Sequence, residues 1–85
     1  MDLENASIVV ALLEGVARGQ MEASAALAKW PPRTESDNLL DASWHDLSHF
    51  ASDDDVRQSD PRYRAYQVSL LLSRVQQIKA KFGIP

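Results

Sequence analysis

The last quarter of the chain carries an apolar stripe at helical spacing, and this stripe restricts the fold more than any other feature. Its members are Val68, Leu71, Leu72, Val75, Ile78 and Phe82. Residues three and four positions apart share one face of an α-helix, so the spacing predicts a helix. Asp60 suits the N-cap and Pro61 the first helical position, while Gly83 suits the C-terminal end. We therefore predict a helix from Pro61 to Phe82.

Three earlier segments repeat this period, and we predict helices over residues 3–18, 21–30 and 38–51. The pair Pro31-Pro32 ends the second helix, because proline cannot donate a helical hydrogen bond. The first two helices are joined by a short link, which favours antiparallel neighbours, and no segment alternates as a strand would. The prediction is an all-α chain with a single domain over residues 1–85. Its fold would be an antiparallel up-and-down bundle of four helices, of which the second is short.

The segment Ser52–Asp60, with the sequence SDDDVRQSD, separates the third predicted helix from the last one. Ser52 with Asp55 three residues later resembles a capping box in which aspartate replaces glutamate. A single turn of helix is therefore predicted here, with Val56 pointing inward.

One side of the last helix lies partly off its apolar stripe and consists of Tyr63, Tyr66 and Leu70. This side either packs against the preceding segment or forms an exposed contact surface, and the sequence leaves both alternatives open. The two tryptophans, Trp30 and Trp44, fall at core spacing on their helices, and we expect both in the core.

Composition narrows the functional classes. The chain of 85 residues has no cysteine, which removes disulfides, thiolate metal sites and a cysteine nucleophile. No apolar run approaches the roughly 18 residues that span a bilayer, and the acidic start MDLEN lacks the positive charge of a secretory signal. We expect a cytoplasmic protein that does not bind membranes. The three glycines are dispersed, so no phosphate-binding loop is predicted, and we expect neither a cofactor nor an enzymatic activity.

The net charge of -3 conceals a strong segregation of charge along the chain. Residues 35–60 hold eight acids and a single base, Arg57, whereas residues 61–85 hold five bases and no acid. An acidic middle disfavours binding to nucleic acid and suits a protein partner with a basic surface. The candidate partner-binding residues are Asp53, Asp54, Asp55, Asp46, Asp41 and Glu35.

The order of these segments resembles the small helical immunity proteins of bacteria, in particular the colicin D immunity family. The layout runs through ASIVVALLEGVARG, QMEASAALAKWPP, LLDASWHDLSHF, ASDDDVRQSDP and YQVSLLLSRVQQIKAKFG. Members of that family form antiparallel four-helix bundles and bind the catalytic domain of a transfer-RNA-cutting toxin with acidic side chains. The resemblance implies an immunity-type inhibitor in which Asp53, Asp54 and Asp55 match the family's acidic segment. The basic last helix departs from the family's pattern.

Two other hypotheses stay open. The stretch WHDLSHF places His45 and His49 four residues apart with Asp46 beside the first, as in a helical zinc site with an adjacent general base. That arrangement would make the chain a small metal-dependent hydrolase, although both imidazoles lie off the apolar stripe and no third histidine is available. Alternatively, the acidic residues 35–60 of one copy would pair with the basic residues 61–85 of another. The chain would then be a self-associating structural module, for example a homodimer.

Overall fold

The structure is a computed structural model that describes residues 2–85, with side chains from Leu3 onward. Its helices are α1 (Asp2–Ala17), α2 (Ala23–Ala28), α3 (Asn38–Ser52), α4 (Asp54–Ser59) and α5 (Pro61–Phe82), and a turn of 3₁₀ helix (Thr34–Ser36) precedes α3. Because no strand occurs among residues 2–85, the predicted all-α class is confirmed. The up-and-down antiparallel order of the four main helices remains a prediction.

Local sequence chemistry sets the starts of the two longest C-terminal helices. The Asp37 carboxylate accepts hydrogen bonds from the backbone N–H groups of Leu39, at 2.9 Å, and Leu40, at 3.0 Å. The Asp60 carboxylate does the same for Arg62 at 3.0 Å, and Pro61 occupies the first helical position. Each aspartate satisfies N–H groups that have no partner inside the helix. The predicted capping of α5 by Asp60 is thus confirmed.

The end of α1 is also encoded locally, by Gly19 in the left-handed conformation with a φ of 73°. The Gly19 N–H donates to the Val16 carbonyl at 3.1 Å, and the Gln20 N–H donates to the Gly15 carbonyl at 2.8 Å. This pair of bonds is a Schellman motif, which satisfies the last carbonyls of the helix. The chain therefore turns sharply toward α2 at Gly19.

The core lies where α1 and α5 pack together and where α3 packs against α5 and α2. Its fully buried large side chains include Val9, Leu13, Leu40, Leu47, Leu71, Val75 and Ile78. Leu71, Val75 and Ile78 follow the predicted stripe of α5. Leu72, also predicted in the stripe of α5, is 37% exposed. It lies about 100° around the helix from Leu71, which faces the core.

The buried face of α3 excludes Trp44, one of the two tryptophans expected in the core. It is formed by Leu40, Ser43, Leu47 and Phe50. At 100° per residue, Trp44 lies about 80° from the centre of this face, and it is 38% exposed. The expectation that Trp44 is a core residue is therefore wrong. Trp30 is half-buried and packs against the core.

The segment predicted as a single turn forms the separate helix α4, and two details of that prediction are wrong. Ser52 closes α3, where its hydroxyl donates to the Ser48 carbonyl at 3.0 Å, and no side chain caps the start of α4. Val56 is 43% exposed instead of pointing inward. The next residue, Arg57, turns toward the protein and stacks on Phe50, and adjacent helical residues project about 100° apart.

Three of the five basic side chains of α5 pair with acids of α1, of α3 and of the N-cap of α3. The ion pairs are Arg74–Asp46 at 2.6 Å, Lys81–Asp37 at 2.7 Å and Lys79–Glu14 at 4.0 Å. The segregation of charge along the sequence thus corresponds to pairing between helices of one chain. None of the described helices combines the length and the apolarity needed to cross a bilayer.

Candidate protein-binding surface

The six acids selected from the sequence are distributed along the whole length of α3. Asp41 lies in the first turn of α3, whereas Asp53 directly follows its last residue. Twelve residues of helix separate the two by about 18 Å along the axis. Asp54 and Asp55 belong to α4, near Asp53, and Glu35 belongs to the 3₁₀ turn before α3. The acids therefore form one group at each end of α3, with Asp46 between them.

Asp46 joins α3 to α5. Its carboxylate accepts a hydrogen bond of 2.6 Å from the Arg74 Nε, and the side chains of Asp46 and Arg74 are only 17% and 26% exposed. A half-buried, charge-assisted contact of this kind fixes the position of both side chains. Asp46 thus has a structural partner within the chain.

Asp53 belongs to a polar network between α4 and α5. Its Oδ2 accepts a hydrogen bond of 2.7 Å from the Tyr63 hydroxyl and another of 3.2 Å from the Gln67 Nε2. The bond to Asp53 is the main reason that the pKa of Tyr63 lies above its ordinary value, since only the protonated phenol can donate. The Tyr63 side of α5 therefore packs against the preceding segment, although Tyr66 is 62% exposed.

Arg57 completes this network and covers the end of α3. Its guanidinium lies 3.6 Å above the centre of the Phe50 ring, donates to the Phe50 carbonyl and donates to the Gln67 Oε1 at 3.0 Å. A cation at a helix C-terminus is stabilised by the helix dipole. Sequence reasoning left the packing of Tyr63 open and missed the contacts of Arg57 and Gln67. The one sequence feature that could have pointed to Arg57 is that it is the single base in the acidic residues 35–60.

Asp54 and Asp55 keep more of their charge at the surface. The Asp54 side chain is 67% exposed, although its carboxylate accepts hydrogen bonds from Arg57 at 3.2 Å and Gln58 at 2.9 Å. Asp55 is exposed in the first turn of α4, where negative charge suits the helix dipole. The negative charges of Asp54 and Asp55 thus also stabilise α4.

Glu35 and Asp41 line a groove of about 410 Å³ between the α2–α3 link and α3. We call it the Trp44 groove, and it is lined by Leu27, Trp30, Pro31, Pro32, Arg33, Thr34, Glu35, Asp41 and Trp44. One wall is held in place because the Trp30 indole N–H donates to the Thr34 hydroxyl at 2.9 Å. Thr34 and Pro31 are buried. The groove therefore has a supported, largely apolar wall next to two carboxylates.

The opposite wall of the Trp44 groove contains an aromatic side chain and a carboxylate. Trp44 meets His45 edge to face, with ring centres 5.2 Å apart. The His45 Nε2 lies 3.6 Å from the Asp41 Oδ2, and the Asp41 side chain is 43% exposed. Glu35 is exposed and has no ion-pair partner among the described residues. Arg33 supplies the one Lys or Arg side chain in the described lining.

A second groove of about 510 Å³ lies between the α1–α2 turn, α4 and α5. Met21 and Phe50 contribute apolar surface to it, and Asp54, Arg57 and Arg64 contribute charges of both signs. The mixture of charges favours no class of ligand.

The histidine pattern does not assemble into a metal site. Asp46, the predicted general base, is held by Arg74, and His45 lies beside Asp41. Among the side chains described, from Leu3 to Pro85, no group of three or more His, Cys, Asp or Glu residues is arranged to hold a metal ion. The geometry thus gives the hydrolase hypothesis no support.

No protein-family model matches the chain, and no curated protein or solved structure shows significant similarity to it.

Proposed function

We propose that the protein is a small helical binding module that docks on a basic surface of another protein and inhibits that protein. The observation that carries this proposal is the Trp44 groove, where an exposed tryptophan lies beside Glu35 and Asp41. Tryptophan is enriched among residues that contribute most to protein–protein affinity. Carboxylates beside it would steer and orient a positively charged partner.

Internal pairing of the basic side chains supports a basic partner. Arg74, Lys79 and Lys81 are engaged by acids of the same chain. Glu35 and Asp55 are exposed and have no ion pair within residues 2–85. At the Trp44 groove, the acids would thus act on a partner without competition from α5, because no residue of α5 lines that groove.

The proposed contact surface is centred on Glu35 and Asp41, with Asp54 and Asp55 as a second acidic area at the other end of α3. Asp46 and Asp53 act in this proposal through the scaffold, because they hold Arg74 and Tyr63. The scaffold itself is taken to be the antiparallel four-helix arrangement.

The resemblance to the colicin D immunity family suggests how such a module would be used. In that form of the proposal, the protein acts in the bacterial cytoplasm and occludes the active site of a nuclease toxin. Its carboxylates would take the place of the phosphates of the toxin's substrate and pair with lysines and arginines. The chain itself would bind neither nucleic acid nor membrane.

A matched pair of aromatic variants tests the proposal. Immobilised protein captures partners from a lysate of the source organism, and the affinity of each purified partner is then measured at low and high salt. We expect Trp44→Ser to cost at least about 2 kcal/mol of binding free energy, and we expect salt to weaken binding. Tyr66→Ser is the control, since Tyr66 is 62% exposed and does not line the Trp44 groove.

Two outcomes would contradict the proposal. One is an affinity that neither salt nor Trp44→Ser changes. The other is a captured enzyme that keeps its full activity when saturated with the protein, because an inhibitor must block its target.

The self-association hypothesis gains no comparable support. It relied on free basic charge in residues 61–85, and three of those five bases pair within the chain. Sedimentation at low and high salt tests it, since head-to-tail charge pairing predicts dimers that dissociate as salt is added.

A further inference from the structure

We infer that the Trp44 groove receives a single arginine side chain of the partner, with its guanidinium on the Trp44 ring and next to Glu35 and Asp41. This inference rests on the proposed function, and it specifies the chemical group that a basic partner would insert. It would make the groove the specificity-determining part of the contact surface.

The size of the groove favours a side chain over a larger element. Its volume is about 410 Å³. One turn of helix, with a diameter of about 10 Å and a pitch of 5.4 Å, fills a cylinder of about the same volume. The groove therefore has room for no more than about one turn of a docked helix, whereas one long side chain fits inside it completely.

The chemistry of the lining favours a cation. Trp44 offers a partly exposed indole, and a cation above such a ring is attracted by the negative charge of its face. Glu35 and Asp41 add two negative charges, and Arg33 adds one positive charge, so the charged lining residues sum to a net negative charge. The other main lining residues, Trp30, Pro31 and Pro32, carry no charge that would repel a cation.

Arginine matches this lining better than lysine does. A guanidinium is planar, stacks on aromatic rings and pairs with carboxylates through two parallel N–H groups. A guanidinium is also less strongly hydrated than an ammonium group, so covering it with an apolar wall costs less hydration free energy. The indole of Trp30, fixed by Thr34, supplies such a wall.

The test uses three capped tripeptides, Gly-Arg-Gly, Gly-Lys-Gly and Gly-citrulline-Gly, titrated into the isotope-labelled full chain. The readouts are the indole N–H resonances of Trp44 and Trp30 and the backbone amides of Glu35 and Asp41. We expect a saturable shift at Trp44 with the arginine peptide. The lysine peptide has the same charge and should bind about two- to fivefold more weakly, and the neutral citrulline peptide should cause no shift.

Charge variants provide matched controls. Glu35→Gln with Asp41→Asn should weaken the arginine peptide about tenfold or more, because each variant removes a carboxylate of the groove. Asp54→Asn with Asp55→Asn removes the same net charge at the far end of α3 and should leave the shift at Trp44 unchanged. Arg33→Gln should tighten binding, since it removes the one guanidinium of the groove. All five residues have exposed or half-buried side chains, so the fold is expected to persist.

Either of two results would overturn the inference: an absence of any shift at Trp44, or equal shifts with the citrulline and arginine peptides. If the full partner still depends on Trp44 in that case, the proposed function survives and only the inserted arginine is wrong. If neither Trp44→Ser nor added salt changes the affinity of the partner, the proposed function itself fails.

Discussion

Ser43 and Trp44 are neighbours on α3 with opposite environments. Ser43 is fully buried, and its hydroxyl donates to the Leu39 carbonyl at 2.8 Å, so the small side chain has its polar group satisfied inside the core. Trp44 is displaced to the rim, where it is 38% exposed. A small residue at the buried position permits close helix packing, and the large one remains available to a partner.

Two glycines near the end of α1 should respond oppositely to alanine. A Cβ at Gly15 would meet the Met21 Cβ at 3.5 Å, an ordinary contact, and the residue is helical. We expect Gly15→Ala to raise the free energy of unfolding by about 0.5–1 kcal/mol. Gly19 has a φ of 73°, so Gly19→Ala should lower it by about 1–2 kcal/mol. Urea titration of both variants measures the difference.

A loss of stability on Gly15→Ala would contradict this account of α1. It would mean that the helix cannot accept even one methyl group against Met21, and that the glycine is needed for close packing. The Gly19→Ala variant then serves as the reference for a purely conformational cost.

Helix starts and stops could be predicted from sequence because each depends on a few neighbouring residues. Asp60 with Pro61, Asp37 and Gly19 all act through backbone groups within three positions. The outward position of Val56 could not be predicted in this way. It depends on Arg57 meeting Phe50, a contact between two helices that the sequence does not place together.

The helix α4 is held by polar side chains and not by apolar burial. None of its residues is buried, and it adjoins the network of Asp53, Arg57, Tyr63 and Gln67. Short helices of this kind are marginal by themselves and depend on tertiary contacts. We expect the amides of α4 to exchange faster than those of α3 and α5.

The Tyr63–Asp53 contact predicts how stability depends on alkaline pH. The folded state raises the pKa of Tyr63 and so favours the protonated phenol. The stabilisation is fully present below the unfolded pKa of about 10 and is lost as pH rises through the higher folded value. Unfolding measured across this range should show a steeper loss for the wild type than for Tyr63→Phe.

Tyr66→Phe is the control for the alkaline titration, because Tyr66 is 62% exposed and stacks on Tyr63 without a bond to Asp53. The stability of Tyr66→Phe should decrease with rising pH as steeply as that of the wild type. If Tyr63→Phe loses stability as steeply as the wild type, the phenol is not a donor to Asp53 and the network that holds α4 is wrong.

The molecule is elongated, with dimensions of 40 × 22 × 21 Å, so the two ends of α3 are distinct regions of its surface. The candidate acids could be read from the sequence. Their division into two groups could not, because it depends on α3 continuing to Ser52 before the aspartate run begins. The Trp44 groove was likewise missed, since it needs the α2–α3 link to fold beside α3.

The choice between the two acidic ends can be decided with two charge-matched variants of the whole protein. Glu35→Gln with Asp41→Asn and Asp54→Asn with Asp55→Asn each remove two negative charges, so they change long-range attraction to a basic partner about equally. The measurement is the affinity of the captured partner for each variant at one fixed salt concentration. We predict that the variant at the Trp44 groove binds about tenfold or more weakly than the variant on α4. Equal affinities, or a greater loss for the α4 variant, would contradict the assignment of the docking surface to the Trp44 groove.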